Sequence, residues 1–546
     1  MKRFYLLCAP GAAALAIVAL WALLQAPTQA ALEAGAASTQ TTSAAMDLIG
    51  AAQPTPSPNC RYGVDALAQN QLNWLPVLGT GWYSDFAAHA PAPAVPAEFV
   101  QVLGVSQKRN GCTYFDDYST APPLTDTGLG NIIDASRGAL WLIGNEPDRG
   151  PNPEDVTCKD PTQGNTFPEV YARAYHDAYT FIKSRDPSAQ VANAGLVEVT
   201  PGRLQYLDKV WEAYRQRYGT TMPVDVWNMH LYILPEALPD GQPNGIANIA
   251  LGTDPALAIR ESGGNPANCG NHGIYCWAQH DSLAAFDGQV TAMRTWMKQH
   301  GQQNKPLILS EYSILYPFQD YDDPVNPTTC FLQDEYDKCF TQQRIAAFMN
   351  STFSYLESAV DPSLGYPLDQ YRLVQRWMWY SLNTSQVGQV SNLITDNLLA
   401  LTQPGQAFQT FVLNHATYQN LRPDNAPPVT AILPAASSTA TVTLQVRVVN
   451  SGDGSIKTPF GVMFYADSAL TQPIGYAVVT PPLGGCERQA AMAKVTWSDV
   501  PVGAHRFWLK VDFKNVVAES DEGDNVISGT ATIYPAGIFL PLLFRG

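Results

Sequence analysis

Positive charge is scarce in this chain. Its 546 residues hold 32 Lys and Arg against 48 Asp and Glu, a formal charge of -16, which repels phosphate backbones and leaves no basic patch for nucleic acid. Histidines number eight, and no C-x-x-C, H-x-H or H-E-x-x-H spacing occurs, so the usual zinc signatures are missing and no metal or cofactor is expected. No glycine-rich phosphate loop follows any strand-like run, which argues against a dinucleotide fold. Long apolar runs are also lacking, except at the amino terminus.

That exception is Phe4 to Leu24, preceded by Lys2 and Arg3 and followed by the small residues of Thr28-Gln29-Ala30. The arrangement predicts a signal peptide over 1-30, with an uncleaved anchor as the alternative, and hence a secreted or surface-attached protein. Eight cysteines then remain: Cys60, Cys112, Cys158, Cys269, Cys276, Cys330, Cys339 and Cys486. In an exported protein these read as disulfides, with Cys269–Cys276 and Cys330–Cys339 as close pairs and the other connectivities open. Residues 31-59 are Ala, Thr, Ser, Gln and Pro with few large apolar side chains, so they read as a spacer.

What is plentiful is apolar and aromatic surface: 46% hydrophobic residues, with 12 Trp and 25 Tyr. Such rings fill cores and also stack on sugars. From 60 to 421 strand-like runs alternate with helical spacings. Runs near Val77–Asp85, Glu98–Val105, Trp141–Gly144, Gln190–Leu196, Val224–Tyr232, Pro306–Tyr312 and Val374–Leu382 read as strands; Phe167–Ser184, Arg203–Tyr218, Ser282–His300 and Gln342–Ser358 read as helices. This alternation implies a parallel sheet, and the absence of a phosphate loop favours a (β/α)8 barrel. Seven strands are legible, and the eighth is expected between Leu103 and Ala139, around Cys112 to Phe115. A Pro-rich linker at 422-428 leads to short alternating strands over 429-535, an immunoglobulin-like β-sandwich. An apolar tail, 536-546, is too short to span a bilayer.

Two strands end on a carboxylate. Trp141-Leu142-Ile143-Gly144 runs into Asn145-Glu146-Pro147-Asp148, and Leu307-Ile308-Leu309-Ser310 runs into Glu311-Tyr312. In a barrel both would face one cleft, the arrangement that glycoside hydrolysis needs: one acid protonates the leaving oxygen and the other attacks the sugar carbon or activates water. Singly, each is as well explained by a loop cap.

The segments Asn145-Glu146-Pro147, His230-Leu231-Tyr232, Ser310-Glu311-Tyr312 and Trp379, in that order, resemble clan A glycoside hydrolases, which are retaining (β/α)8 barrels. With Trp82-Tyr83 and the strand at Phe99 to Val105, the pattern over Gly79 to Phe408 is similar to the branch containing the family 128 endo-β-1,3-glucanases and their Asl1-like relatives. The resemblance implies a polysaccharide or oligosaccharide substrate, Glu146 as general acid/base and Glu311 as nucleophile, with carboxyls roughly 5 Å apart. It further implies a substrate-binding set of Asn145, His230, Tyr232, Trp379 and Trp82, in which Asn145 holds the adjacent hydroxyl, Tyr232 or His230 also keeps Glu311 ionised, and Trp379 and Trp82 form a stacking floor. Glu146 is expected to have a raised pKa. Beyond Arg422, Val448-Val449-Asn450-Ser451-Gly452 and the acidic run Glu519 to Asn525 resemble the CARDB module of bacterial surface proteins. The acids of that run read as a solvated turn, with calcium binding as the alternative. The competing function is a non-catalytic glycan-binding or adhesion protein on a barrel scaffold.

Overall fold

The computed structural model describes residues 58–90, 92–150, 164–238, 240–243, 247–260, 278–315, 339–384, 388–433 and 437–535. The expected signal peptide, nearly all of the spacer, Cys158, Cys269, Cys276, Cys330 and the apolar tail lie outside them.

The amino-terminal part is a mixed α/β unit whose strands, with one exception, run in one direction. In chain order they are β1 (Asn59–Asp65), β2 (Thr80–Ser84), β3 (Glu98–Phe99), β4 (Gln101–Asn110), β5 (Thr113–Ala121), β6 (Leu140–Ile143), β7 (Gln190–Asn193), β8 (Trp227–His230), β9 (Leu307–Tyr312) and β10 (Arg376–Trp379). Hydrogen bonding orders six of them β3-β2-β1-β10-β9-β8 and the other four β5-β4-β6-β7; only β5 pairs antiparallel. Val100 alone separates β3 from β4. A parallel bridge between Ala192 and Val226 links the β7 and β8 edges.

The strand missing from the seven is therefore β1, at the amino end, and not the segment near Cys112. Residues 113–121 do extend, but as the return arm of a hairpin on β4. β1 escapes sequence reading because Arg61 and Gly63 break its apolar run. Both have tertiary reasons. The Arg61 guanidinium pairs with buried Asp369 at 2.8 Å, and a Cβ at Gly63 would lie 2.5 Å from the Trp82 indole nitrogen.

The helices Pro168–Arg185, Pro201–Tyr218, Leu283–Gln299 and Gln342–Ser358 fall close to the expected spans, and a further helix, Gln403–Asn414, was not expected. Thr200, Ser282, Thr341 and Thr402 cap four of them through side-chain oxygens that accept from the first turn. Their apolar faces join the outer faces of the strands in one large core. A second cluster gathers Trp82, Val100, Val102, Leu140, Leu142, Ala192, Val226, Ile308 and Met378, side chains from successive strands that meet on the inner face. Among the described residues no helix is long and apolar enough to cross a membrane.

The carboxy-terminal unit is all β: β11 (Leu421–Asn425), β12 (Val429–Ile432), β13 (Thr439–Asn450), β14 (Phe460–Tyr465), β15 (Pro473–Val479), β16 (Ala490–Pro501), β17 (Gly503–Val511) and β18 (Val526–Tyr534). They form two sheets, β11-β13-β16 and β12-β18-β17-β14-β15, around their own core. The Pro-rich segment expected as a linker is thus largely a strand. Pro423 is tolerated because β11 sits at a sheet edge.

The two units are bonded to each other at the amino end of β1. Cys60 and Cys486 form a disulfide across 426 residues of sequence, a pairing the cysteine spacing left open. Around it the Asn59 amide donates to Asp453 at 3.1 Å, and Glu98 receives both Arg376 at 2.5 Å and Arg488 at 3.5 Å. Glu487 receives Arg422 and, at 3.2 Å, the Tyr366 hydroxyl. Cys112 and Cys339 are disulfide-bonded as well.

Candidate active site

The strands deliver polar side chains at their carboxyl ends, the pole opposite the disulfide. After β6, Gly144 at φ 94° and Glu146 at φ 40° turn the chain sharply, so the Glu146 carboxyl follows a buried strand without continuing it. Glu311 lies within β9, next to β8, where His230 pairs with it in register. The His230 ring fits because Gly195 has no side chain: a Cβ there would come within 2.1 Å of the imidazole. The same Gly195 accepts the Glu146 backbone N–H at 3.1 Å.

Glu146, His230 and Glu311 form one buried cluster whose ligand-type atoms all lie within 4.8 Å of one another. His230 Nδ1 is 3.2 Å from Glu146 Oε1 and 3.6 Å from Glu311 Oε2. The Tyr232 hydroxyl donates to Glu311 Oε1 at 2.6 Å. His230 and Tyr232, expected to touch substrate, are themselves buried; they hold the carboxylates. Asn145, half-buried, stands at the rim beside Glu146.

The proton affinities run opposite to the expected roles. Burial raises the Glu311 carboxyl to about 7, and the Glu146 charge adds to it against His230 and the Tyr232 bond. Burial also pushes Glu146 up, but the His230 hydrogen bond and charge, with Arg149 and Arg203, bring it below the ordinary value. His230 itself is lowered by burial and raised further by the two glutamates, ending above its ordinary value. The cause is placement: the imidazole bonds to Glu146 and only approaches Glu311. Two carboxylates this close titrate as a pair, and one holds a proton near neutral pH.

Neither expected tryptophan is a platform. Trp379 is fully buried, donates its indole N–H to Ser391 O at 2.8 Å and packs edge-on against Tyr312. Trp82 fills the inner cluster, with the Arg376 guanidinium 4.1 Å over its ring. Alternation along β10 explains the error: one residue further, Tyr380 is half-buried, near Phe86 and close enough to Glu311 and Glu146 to feel their charge. Tyr380→Ala is expected to raise KM roughly tenfold, about 1.4 kcal/mol, through loss of a stacking face. Trp379→Phe should leave KM unchanged and destabilise by about 2 kcal/mol; steady-state kinetics and thermal melts separate the two.

Sequence reading also missed Asp65, the last residue of β1. It is fully buried, neither carboxylate oxygen has a hydrogen-bond partner among the described residues, and burial, with the charges of Glu311 and Asp85, pushes its carboxyl well up. The signal was present, a strand ending on an acid, but the strand itself was not legible.

In the carboxy-terminal unit the acidic run is a structural turn: Glu519 accepts from Leu421 N and from Asn525, Glu522 from Asn525, and Asp524 from Asn420.

Residues 424–529 match the CARDB family, so the β-sandwich is a CARDB domain. Among curated proteins no sequence matches the chain. A family 128 (subgroup III) curdlan-specific exo-β-1,3-glucanase from Blastomyces gilchristii, solved with glucose, is 14% identical, with 64% of this chain and 97% of that chain covered at a TM-score of 0.36. A glucosidase from Croceicoccus marinus is 10% identical, with 82% and 98% covered at 0.36. A CARDB domain from Pyrococcus furiosus, solved with di-metal ions, is 19% identical, with 22% and 99% covered at 0.18.

Proposed function

We propose that this chain is an exported retaining glycoside hydrolase, cleaving β-linked glycans in a cleft at the carboxyl ends of a closed (β/α)8 barrel. The observation that carries this reading is the pair Glu146 and Glu311, on separate parallel strands, with carboxylate oxygens within 4.8 Å. A close pair is what direct attack on the sugar needs, whereas an inverting pair stands farther apart to admit a water. Barrel closure is supported by the run from β3 into β4 on one side and the Ala192–Val226 bridge on the other. Export is supported by the amino-terminal apolar run and by the disulfides.

In this mechanism the protonated Glu146 gives its proton to the glycosidic oxygen while the Glu311 carboxylate attacks the anomeric carbon. The C–O bond to the leaving sugar breaks and an ester to Glu311 forms. Glu146, now ionised, takes a proton from water, which attacks the same carbon and frees Glu311. His230 Nδ1, within reach of both carboxylates, exchanges the proton that the empty site holds at the Glu311 end. Tyr232 steadies the attacking carboxylate, Asn145 binds the neighbouring hydroxyl, and Tyr380 offers the stacking face.

A panel of β-linked polysaccharides tests the proposal, with product anomers followed by NMR. The β-anomer should form first. Early α-anomer would exclude retention; binding without release of reducing ends would favour the adhesion reading. The three clustered ligand atoms also support a divalent-cation site as a second reading. Under that reading EDTA abolishes turnover and added metal restores it.

A further inference from the structure

The turn that carries Glu146 is held by a charged residue on a different element. Arg203, in the first turn of the helix Pro201–Tyr218, is fully buried and spreads its guanidinium over four acceptors. Nη1 donates to Asp148 Oδ2, Nε to Glu236 Oε1 at 2.9 Å, and Nη2 to the carbonyls of Ala247 and Asn248, both at 2.7 Å. The segment it reaches is stitched to the Glu146 turn independently: Leu251 N donates to Asp148 O at 2.8 Å, Asn248 Nδ2 to Gly150 O at 3.1 Å, and Arg149 bridges to Ala250. Glu146 has φ 40°, a conformation unfavourable for a residue with a side chain, which persists only where the surroundings over-determine it. Its own backbone contributes two bonds to this, N–H to Gly195 O at 3.1 Å and C=O from Arg149 N at 3.3 Å. Pro147 O accepts from Thr166 N at 2.8 Å, and a further restraint comes through Asp148.

We propose that Arg203 is a positioning residue for proton donation: through Asp148 and the 247–251 segment it fixes the backbone at Glu146 and so aims the Glu146 carboxyl at the leaving oxygen. The inference rests on the glycosidase reading. Only a fork of five donors serves four acceptors in this plane, so a Lys, with the same charge, cannot replace it. Arg203 makes no bond to either glutamate, so its loss leaves the nucleophile in place and spoils acid assistance.

Leaving-group dependence separates that role from a merely structural one. kcat/KM is measured for phenyl and 2,4-dinitrophenyl β-glycosides of the sugar that the polysaccharide panel identifies. The dinitrophenolate departs without a proton, whereas the phenolate needs one. Arg203→Lys should lose on the order of 100-fold on the phenyl glycoside and change little on the dinitrophenyl one. Equal losses on both overturn the proposal. If the Lys variant does not fold, Asn248→Gly serves, since it tolerates the φ of 59° at that position, keeps every Arg203 bond and removes the side-chain tie to Gly150 O. A smaller split of the same sense is expected, and an equal loss on both substrates again counts against it. Glu146→Gln on the same pair calibrates the assay: no split in that variant means the acid assignment of Glu146 has failed, not the placement of Arg203.

Discussion

Glu311→Gln is expected to abolish turnover, by about four orders of magnitude or more, while making the protein more stable above pH 7. The loss follows from removing the attacking carboxylate, since an amide cannot form the glycosyl ester. The gain follows from linkage. The folded carboxyl titrates at about 7 against an ordinary value of 4.5, so between those pH values the folded state binds the proton more strongly than the unfolded chain. This contribution to stability is fully present below pH 4.5 and is lost as pH rises through 7. Gln cannot ionise, so it escapes the penalty, which amounts to roughly 3 kcal/mol for a shift of this size. Thermal melts at pH 5 and pH 8 check it. The variant should match wild type at the lower pH and melt higher at the upper one. A variant that keeps activity, or that melts lower at both, would show that Glu311 is neither nucleophile nor buried ionisable strain.

Replacing Cys60 and Cys486 together with Ser should lower stability by about 2–5 kcal/mol with kcat untouched. The bond ties the second residue of β1 to the CARDB domain across 426 residues. The partners on the amino-terminal unit, Asn59, Glu98, Tyr366 and Arg376, belong to the same pole, so the contact surface survives as hydrogen bonds and ion pairs without the covalent tie. Calorimetry should show the melt broaden or split as the two units lose their common transition. Activity should persist because Glu146 and Glu311 lie at the carboxyl ends of the strands. An unchanged melt would mean the non-covalent contacts alone fuse the units; lost activity would mean the sandwich supports the cleft. The double variant is preferred to a reductant, since Cys112 and Cys339 are also bonded.

Where the chemistry was periodic, the chain announced its structure. The helix Gln342–Ser358 and the strand Leu307–Tyr312 stand where their apolar spacing puts them, because burial of one face or both follows directly from residue order. Local turn chemistry was equally plain: Gly144 and Pro147 end the strand on either side of Glu146. The trouble began where a residue's reason lay far off in sequence. Arg61 and Gly63 obscure β1 because one answers to Asp369 and the other to Trp82. Trp379 looked like a platform because alternation says which residues share a face but not which face is open, and the neighbouring Tyr380 is the half-buried ring instead.

Residue order by itself determined the two-part organisation, the alternation of strands and helices, and the two strand-end glutamates as a candidate pair. It could do so because hydrophobic period and strand termination are local properties. Only the tertiary structure decided that His230 stands between the two glutamates, that Asp65 lies buried without a side-chain hydrogen-bond partner among the described residues, that Cys60 reaches Cys486, and that Arg203 bonds Asp148 two residues from Glu146. Each of these depends on distances between segments scores to hundreds of residues apart, and Coulomb interaction, burial and hydrogen bonding act through space, not along the chain.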